Sequence, residues 1–364
     1  MSASLTLTDI QLSGLIQDLL SAGTAVLAPA PPPAPSQTGG LDYRHITGWR
    51  EANPSGATPQ RPAGALPQRP LKALFLPPTE PLFGWQQHGK DVALQPVSPK
   101  FPPRVIIGVR PCDAAAVQVL DKVMGWDYKD EPWFGRRDAT TILGMACSGG
   151  DSACFCETVG LSPSATKGSD LFLTPTEGGF SVEVVTEKGR HFVDAHQGRF
   201  AESTSPAPAA NPSTQAFRFS VETVHPWLAT HFGDPLWQGV ALKCHGCGAC
   251  AAVCPTCHCF DIVDEPDGVD RGVRRRNWDT CQTGRFTVHA SGHNPRANQD
   301  ARYRQRVLHK FSIYPERFGE ILCTGCGRCT RACPSGMDIA EVLSEVQAAA
   351  LTAARTANQV GGLP

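Results

Sequence analysis

Two cysteine runs with identical spacing constrain this chain more than any other feature of its sequence. In each run the cysteines are separated by two, two and three residues, and a proline follows the last one. The runs are Cys244-x2-Cys247-x2-Cys250-x3-Cys254-Pro255 and Cys323-x2-Cys326-x2-Cys329-x3-Cys333-Pro334. With 15 cysteines in 364 residues, the chain is much longer than the small secreted domains that depend on disulfides. These cysteines are therefore predicted to bind metal.

The spacing is that of the bacterial-ferredoxin runs that hold [4Fe–4S] clusters. Three cysteines at x2 intervals wrap a loop around three irons, and glycines in the loop let backbone amides approach the sulfides. The glycines are Gly246, Gly248, Gly325 and Gly327. The fourth cysteine, one helical turn further on, points away from this loop and toward the other cluster. The sequence therefore predicts two [4Fe–4S] clusters.

Ligation is predicted to cross over, because the fourth cysteine of each run serves the cluster of the other run. The predicted ligands are Cys244, Cys247, Cys250 and Cys333 for cluster 1, and Cys323, Cys326, Cys329 and Cys254 for cluster 2. The main alternative is a pair of zinc sites. Zinc needs only four ligands and is usually held by two Cys-x2-Cys pairs, so a quartet that occurs twice favours the clusters.

Four further cysteines lie in the N-terminal half of the chain. They are Cys112, Cys147, Cys154 and Cys156. Cys112 lies in the turn after the apolar run 104–109, and Cys147 follows the apolar run 141–145. Four is the ligand number of one more cluster, and α/β domains place ligands in turns at strand ends. We therefore predict a third [4Fe–4S] cluster here, with buried free thiols as the alternative.

The last three cysteines are Cys257, Cys259 and Cys281, which occur in the motifs Cys257-His-Cys259 and Trp278-Asp-Thr-Cys281. They could ligate a metal, with His258 completing a zinc site, or insulate a cluster, or only pack. Because both ferredoxin-type clusters are complete without them, a supporting or structural role is favoured.

A strongly basic stretch separates the two runs. It contains Arg271, Arg274, Arg275, Arg276, Arg285, Arg296, Arg302, Arg304, Arg306 and Lys310. Nucleic-acid binding is a poor explanation, because aromatic residues are sparse here and the formal net charge of the whole chain is −1. A cluster with four thiolates is an anion. These cations are therefore expected to offset its charge and tune its potential, or to dock an acidic partner.

The remaining patterns predict an α+β or α/β chain with three regions. Residues 1–65 contain a helix that starts at Thr8 and a Pro-rich surface segment over 28–35, and residues 66–215 form an α/β domain that carries the candidate third cluster. The predicted elements of this domain are buried strands at 72–77 and 104–109, a helix at 114–124 and a hairpin around 177–179. Residues 216–364 form a mostly helical, ferredoxin-like dicluster domain with a long insertion and a helix over 338–354, after a linker at 201–215.

Several signals that would indicate an enzyme with its own substrate site are missing from the sequence. There is no Gly-x-Gly-x-x-Gly after a strand, no Walker loop, no Gly-x-Ser-x-Gly and no His-Glu-x-x-His. No apolar run approaches the length that spans a bilayer, and the first residues lack the features of a secretory signal. We expect a cytoplasmic electron carrier that is itself non-catalytic and binds neither membranes nor nucleic acid.

The connecting motifs, more than the runs themselves, give the chain a family resemblance. It resembles the iron–sulfur β subunit of cytoplasmic sulfhydrogenase-type [NiFe] hydrogenases and the related iron–sulfur subunit of anaerobic sulfite reductase. The resemblance begins near residue 70 and rests on Gly108-Val-Arg-Pro-Cys-Asp113, Cys147 with Cys154-Phe-Cys156, Gly168-Ser-Asp-Leu171, Cys254-Pro-Thr-Cys-His-Cys-Phe-Asp261, Trp278-Asp-Thr-Cys281, Ala290-Ser-Gly-His-Asn-Pro-Arg296, His309-Lys-Phe311 and the second run. Residues 1–65 depart from the pattern.

This resemblance implies a protein that passes electrons between two partners. One partner is a flavin- and NAD(P)-binding subunit with a [2Fe–2S] cluster, and the other is a catalytic [NiFe] hydrogenase or sirohaem sulfite reductase subunit. The main alternative is a self-contained reductase with an open iron site near Cys257, Cys259 and Cys281. A third hypothesis, a nucleic-acid-binding protein with structural clusters, rests only on the basic stretch.

Overall fold

The computed structural model describes residues 4–32, 40–53, 66–203 and 216–360. The chain divides into two compact units, each built from separate segments of sequence. Unit 1 comprises Met1–Leu71, Phe101–Arg218 and Cys323–Gly327, and unit 2 comprises Lys72–Lys100, Phe219–Leu322 and Arg328–Pro364. Most of the linker predicted at 201–215 and part of the Pro-rich segment lie outside the described residues.

Unit 1 is built on an eight-stranded mixed sheet with the strand order β10-β1-β9-β8-β7-β6-β2-β3. The strands are β1 (Ser4–Thr8), β2 (Ala25–Ala30), β3 (Asp42–His45), β6 (Arg104–Val109), β7 (Thr140–Met145), β8 (Leu171–Thr176), β9 (Gly179–Val184) and β10 (Ala201–Ser203). The helices are α1 (Asp9–Ser21), α2 (Trp49–Ala52), α3 (Pro111–Met124), α4 (Glu131–Asp138) and α5 (Glu187–Ala195). The four strands β2, β6, β7 and β8 are parallel neighbours, which confirms the predicted α/β character.

The strand and helix signals of unit 1 have direct physical causes. β6 contains the run Val105-Ile-Ile107, which is buried as expected for a central parallel strand. Gly108 follows with φ +76°, and the register of β6 against β7 shifts at this point. At α1, the Thr8 hydroxyl accepts the Gln11 N–H while the Gln11 side chain accepts the Thr8 N–H, a reciprocal cap that starts the predicted helix.

Two of the predictions made for residues 1–100 are wrong. Residues 72–77 form no strand. Leu71–Leu74 is a 3₁₀ helix, and Phe75 and Leu76, which follow it, are buried. A short apolar run does not distinguish a strand from a helical turn. Ala28, Pro29 and Ala30, expected on the surface, belong to the buried strand β2. Pro29 lies beyond the residues of β2 that pair with β6, so its missing N–H costs that ladder nothing.

Unit 2 contains a four-stranded antiparallel sheet in the order β11-β12-β4-β5, so this region is less purely helical than expected. Its strands are β4 (Thr79–His88), β5 (Asp91–Pro96), β11 (Phe260–Pro266) and β12 (Arg271–Trp278). Its helices are α6 (Val221–Thr230), α7 (Leu236–Ala241), α8 (Ala249–Ala252), α9 (Gln299–Leu308), α10 (Tyr314–Phe318), α11 (Arg328–Arg331) and α12 (Ile339–Val360), with a π-helical turn at His309–Ile313. The predicted C-terminal helix is thus present, and the Asp338 side chain accepts the N–H of Ala340 at its start.

Within the described ranges, no helix combines the length and the apolar character that crossing a membrane requires.

Candidate iron–sulfur site

One cavity of unit 2 brings together cysteines from both ferredoxin-type runs. Its lining includes the first three cysteines of the first run, Cys244, Cys247 and Cys250, together with Cys329 and Cys333 of the second run. The loop of the first run can wrap around this cavity because Gly246 and Gly248 have φ angles of 66° and 76°. In that left-handed region a side chain would be strained.

Hydrogen-bond donors point at the sulfurs of this cavity. Nε2 of Gln299 lies 3.2 Å from Sγ of Cys244. At Cys333, burial acts to raise the pKa of the thiol, but hydrogen bonds from Met337, Ser335 and Gly336 outweigh it, and the pKa is lowered. Donors around a cysteine sulfur favour its negative charge, and a thiolate is the form that binds iron. The donor set therefore fits a [4Fe–4S] cluster.

The spacing of the donor groups bears on the zinc alternative. Among the residues that the structure describes, no three His, Cys, Asp or Glu side chains are placed to share a single metal ion. A zinc ion would need its ligand atoms about 2.0 to 2.3 Å away in a tetrahedron. A cubane binds each thiolate through a different iron, so its sulfurs stand further apart.

Cys254, the fourth cysteine of the first run, is buried and lies beside Cys257. The Cys257 thiol donates a hydrogen bond to Cys254, which lowers the pKa of Cys254 well below its usual range and raises that of Cys257. Burial opposes the lowered pKa of Cys254, whereas the nearby charges of Lys310, Arg306 and Lys72 support it. The cations around Cys254 therefore favour the thiolate form that binds iron.

Cys259 and Cys281 form a second thiol pair, next to the β11–β12 hairpin. Cys259 donates a hydrogen bond to Cys281, which raises the pKa of Cys259 and lowers that of Cys281 to about 6. Nε2 of Gln282 adds a contact of 3.5 Å to Sγ of Cys281. The structure thus brings Cys257, Cys259 and Cys281 into one group with Cys254.

The beginning of the second run packs against the N-terminal cysteine loop within unit 1. The Phe155 N–H donates to the Gly325 carbonyl at 2.8 Å, and Sγ of Cys154 lies 3.8 Å from the Cys326 carbonyl oxygen. A side chain on Gly325 would come within 2.4 Å of the Cys156 backbone, so only glycine fits there. Cys154 and Cys156 therefore lie close to the loop that carries Cys323 and Cys326.

The other two N-terminal cysteines occupy strand ends in the same unit. Cys112 lies in the first turn of α3, just after β6, and Cys147 follows β7. Because β6 and β7 are parallel neighbours, their carboxyl ends meet at one edge of the sheet. That edge is where α/β sheets bind ligands, and it carries both cysteines.

Five residues of the basic stretch fall into two groups. Three of the four arginines of β12 pair with carboxylates: Arg274 with Asp264, Arg275 with Glu265, and Arg276 with Glu80. Arg306 of α9 and Lys310 of the π-helical turn are instead buried against thiols, with Arg306 Nη1 3.4 Å from Cys257 Sγ and Lys310 Nζ 3.3 Å from Cys254 Sγ.

Sequence reasoning missed two residues of this site. Lys72 is buried, and its Nζ donates to the Cys257 carbonyl at 2.6 Å. A lone lysine in an otherwise apolar segment was the available signal. Gln299, the donor to Cys244, gave no signal, because a glutamine at a helix start is unremarkable in a sequence.

Comparisons with known proteins agree with this site. The 4Fe-4S dicluster domain family matches residues 243–337, which span both runs. The site and the match define the chain as a [4Fe–4S] dicluster iron–sulfur protein.

The Sulfhydrogenase 2 subunit beta of Pyrococcus furiosus is 33% identical over 250 residues, which cover 67% of this chain and 74% of that protein. The chain belongs to this family of sulfhydrogenase iron–sulfur β subunits, which confirms the resemblance seen in its sequence. No solved structure matches it.

Proposed function

We propose that this chain is the electron-transfer subunit of a multi-subunit oxidoreductase. It relays single electrons between a flavin- and NAD(P)-binding [2Fe–2S] subunit and a catalytic subunit. The relative from Pyrococcus furiosus is named as a sulfhydrogenase subunit, so a [NiFe] hydrogenase is the first choice of catalytic partner. A sirohaem sulfite reductase is the second.

The observation that carries this proposal is the cavity shared by the two runs. Cys244, Cys247, Cys250 and Cys333 line it together, and these are the four predicted ligands of cluster 1. When bound, [4Fe–4S] clusters take up and release one electron at a time. The chain's own part is to fix the thiols and to direct N–H groups at their sulfurs. Cys323, Cys326, Cys329 and Cys254 are proposed as the ligands of cluster 2.

A third cluster, held by Cys112, Cys147, Cys154 and Cys156, completes the proposed relay. Its support is that Cys112 and Cys147 share one sheet edge and that the loop of Cys154 and Cys156 packs on the second run. We expect the anaerobically reconstituted chain to hold about twelve irons, four for each of three clusters, and Cys112→Ala to hold about eight. A count near eight that Cys112→Ala leaves unchanged would remove the third cluster.

The test of the function is reduction of the purified chain by NADH or NADPH. Nicotinamides transfer hydride whereas clusters accept single electrons, so a flavin must stand between them. We expect no reduction of the chain alone, full reduction by dithionite, and NAD(P)H-dependent reduction once the flavin-containing partner is added. NAD(P)H turnover by the pure, flavin-free chain would reject the relay and favour the self-contained reductase with its open site near Cys257, Cys259 and Cys281.

A further inference from the structure

Unit 2 buries three cations close together. Lys72, Arg306 and Lys310 are only 3%, 3% and 2% exposed. A buried charge is costly unless negative charge and hydrogen bonds offset it. The groups that contact these cations therefore indicate where negative charge lies in this part of unit 2.

Their contacts converge on Cys254 and Cys257. Nζ of Lys310 contacts Sγ of Cys254 at 3.3 Å, and it also donates to Thr256 Oγ1 and the Leu322 carbonyl, each at 2.9 Å. An ammonium has three N–H groups, so one of them is directed at the sulfur.

The other two cations, Arg306 and Lys72, lie close to the same cysteines. Arg306 contacts Cys257 Sγ at 3.4 Å and donates to the Cys250 carbonyl at 3.1 Å. Lys72 donates to the Cys257 carbonyl at 2.6 Å, and its Nζ lies 4.1 Å from the ring centre of Trp278.

Two cysteines lie at the centre of these contacts. Of Cys254 and Cys257, Cys254 is the one that the ferredoxin spacing assigns to a cluster.

We infer that Lys72, Arg306 and Lys310 form a cationic cradle that raises the reduction potential of the cluster to which Cys254 contributes. The inference rests on the proposed function in that it takes Cys254 as a cluster ligand. Reduction adds one electron, and so one negative charge, to the cluster. Fixed positive charges a few ångströms away in a poorly hydrated interior stabilise the reduced form more than the oxidised form. Lys310, through its N–H···S contact, carries the largest part.

The experiment is a potentiometric titration of the reconstituted full chain, followed by electron paramagnetic resonance. The signal of interest is the one that Cys254→Ala abolishes. We compare Lys310→Gln, which removes the charge, with Lys310→Arg, which keeps it. Arg274→Gln is the matched control, since Arg274 is exposed and paired with Asp264. Iron content is measured for each variant.

We expect Lys310→Gln to keep its iron and to lower the ratio of reduced to oxidised cluster at least tenfold at a fixed potential. For a one-electron couple this is a shift of about 59 mV. Lys310→Arg should have a reduction potential close to that of the parent chain, and Arg274→Gln should leave the potential unchanged. A fully loaded Lys310→Gln chain with the potential of the Arg274→Gln control overturns the inference.

If Lys310→Gln loses iron, the inference is tested instead by the reduction potentials of Lys72→Gln and Arg306→Gln. A lowered potential in either loaded variant supports the cradle, and an unchanged potential in both overturns it. Loss of iron in all three variants would mean that the cations serve only assembly, which also overturns the inference. The titration uses no partner protein, so its result is independent of whether the NAD(P)H-dependent relay succeeds or fails.

Discussion

The strand β12 and the segment from α9 to the π-helical turn each carry four arginine or lysine residues, yet they use them in different ways. On β12, Arg274 and Asp264 are 42% and 43% exposed and form a two-point ion pair at the surface. In the helical segment, Arg306 and Lys310 are buried against sulfur. The basic residues alone therefore do not indicate whether they contact carboxylates or thiols. The secondary-structure element on which they lie is needed as well.

Secondary structure accounts for the difference. Neighbouring antiparallel strands place side chains directly opposite each other, and opposite charges in such pairs attract. β11 supplies Asp264 opposite Arg274, and β4 supplies Glu80 opposite Arg276. A helix instead presents residues four apart on the same side, which here aims Arg306 and Lys310 at neighbouring thiols.

The largest effect should come from removing the sulfur that Lys310 contacts. Cys254→Ala is expected to cost about four irons, one cubane, and the cluster lost should be that of Cys323, Cys326 and Cys329. The measurement is iron content in double variants. Cys254→Ala with Cys323→Ala should lose no more iron than either alone, whereas Cys254→Ala with Cys244→Ala should lose twice as much. The reverse pattern would mean that ligation does not cross over.

The next effect concerns the one arginine of β12 that is buried. Arg276 and Glu80 are each 6% exposed, and Nε of Arg276 donates to Glu80 at 2.8 Å. Removing one partner of a buried pair leaves the other charge uncompensated, so Arg276→Gln should lower the free energy of unfolding by about 3 to 5 kcal/mol. Denaturant titration measures it, with Arg274→Gln as the exposed control that should show no change. Equal midpoints for the two variants would contradict this account.

The smallest effect should fall on association with the flavoprotein. Arg271 and Arg285 are exposed, so they are available to steer an acidic partner. Changing both to Glu should slow partner-dependent reduction severalfold at low salt, with the difference shrinking as salt screens the charges. Dithionite reduction should be unaffected. Equal rates for the variant and the parent at low salt would place docking on another surface.

Spacing carried the sequence prediction further than composition did. The x2-x2-x3 pattern indicates [4Fe–4S] ligation even when the fold is not known. It was therefore possible to predict that Cys244 of the first run and Cys333 of the second run ligate one cluster. The strand–turn–helix order around Cys112 was likewise sufficient to predict the α/β unit. These signals are local in sequence.

What could not be predicted depends on contacts between distant segments. Lys72 belongs to the same unit as Cys257 only because Lys72–Lys100 folds with the later part of the chain. Its apolar neighbours resembled a strand, and a lone lysine among apolar residues does not indicate which distant segment it contacts. The pairing of Glu80 with Arg276 was hidden for the same reason, because β4 and β12 are far apart in sequence.

The arrangement of this antiparallel sheet also affects how the chain is made. β4 and β5 form a hairpin with each other, but the other neighbour of β4 is β12, which is synthesised much later. At 5 to 20 residues per second, a ribosome takes about 10 to 40 s to cover that separation. An isolated hairpin is marginally stable in water, so the nascent chain carries an unpaired strand edge throughout that interval. Chaperone binding during translation should therefore concentrate on β4 until β12 emerges.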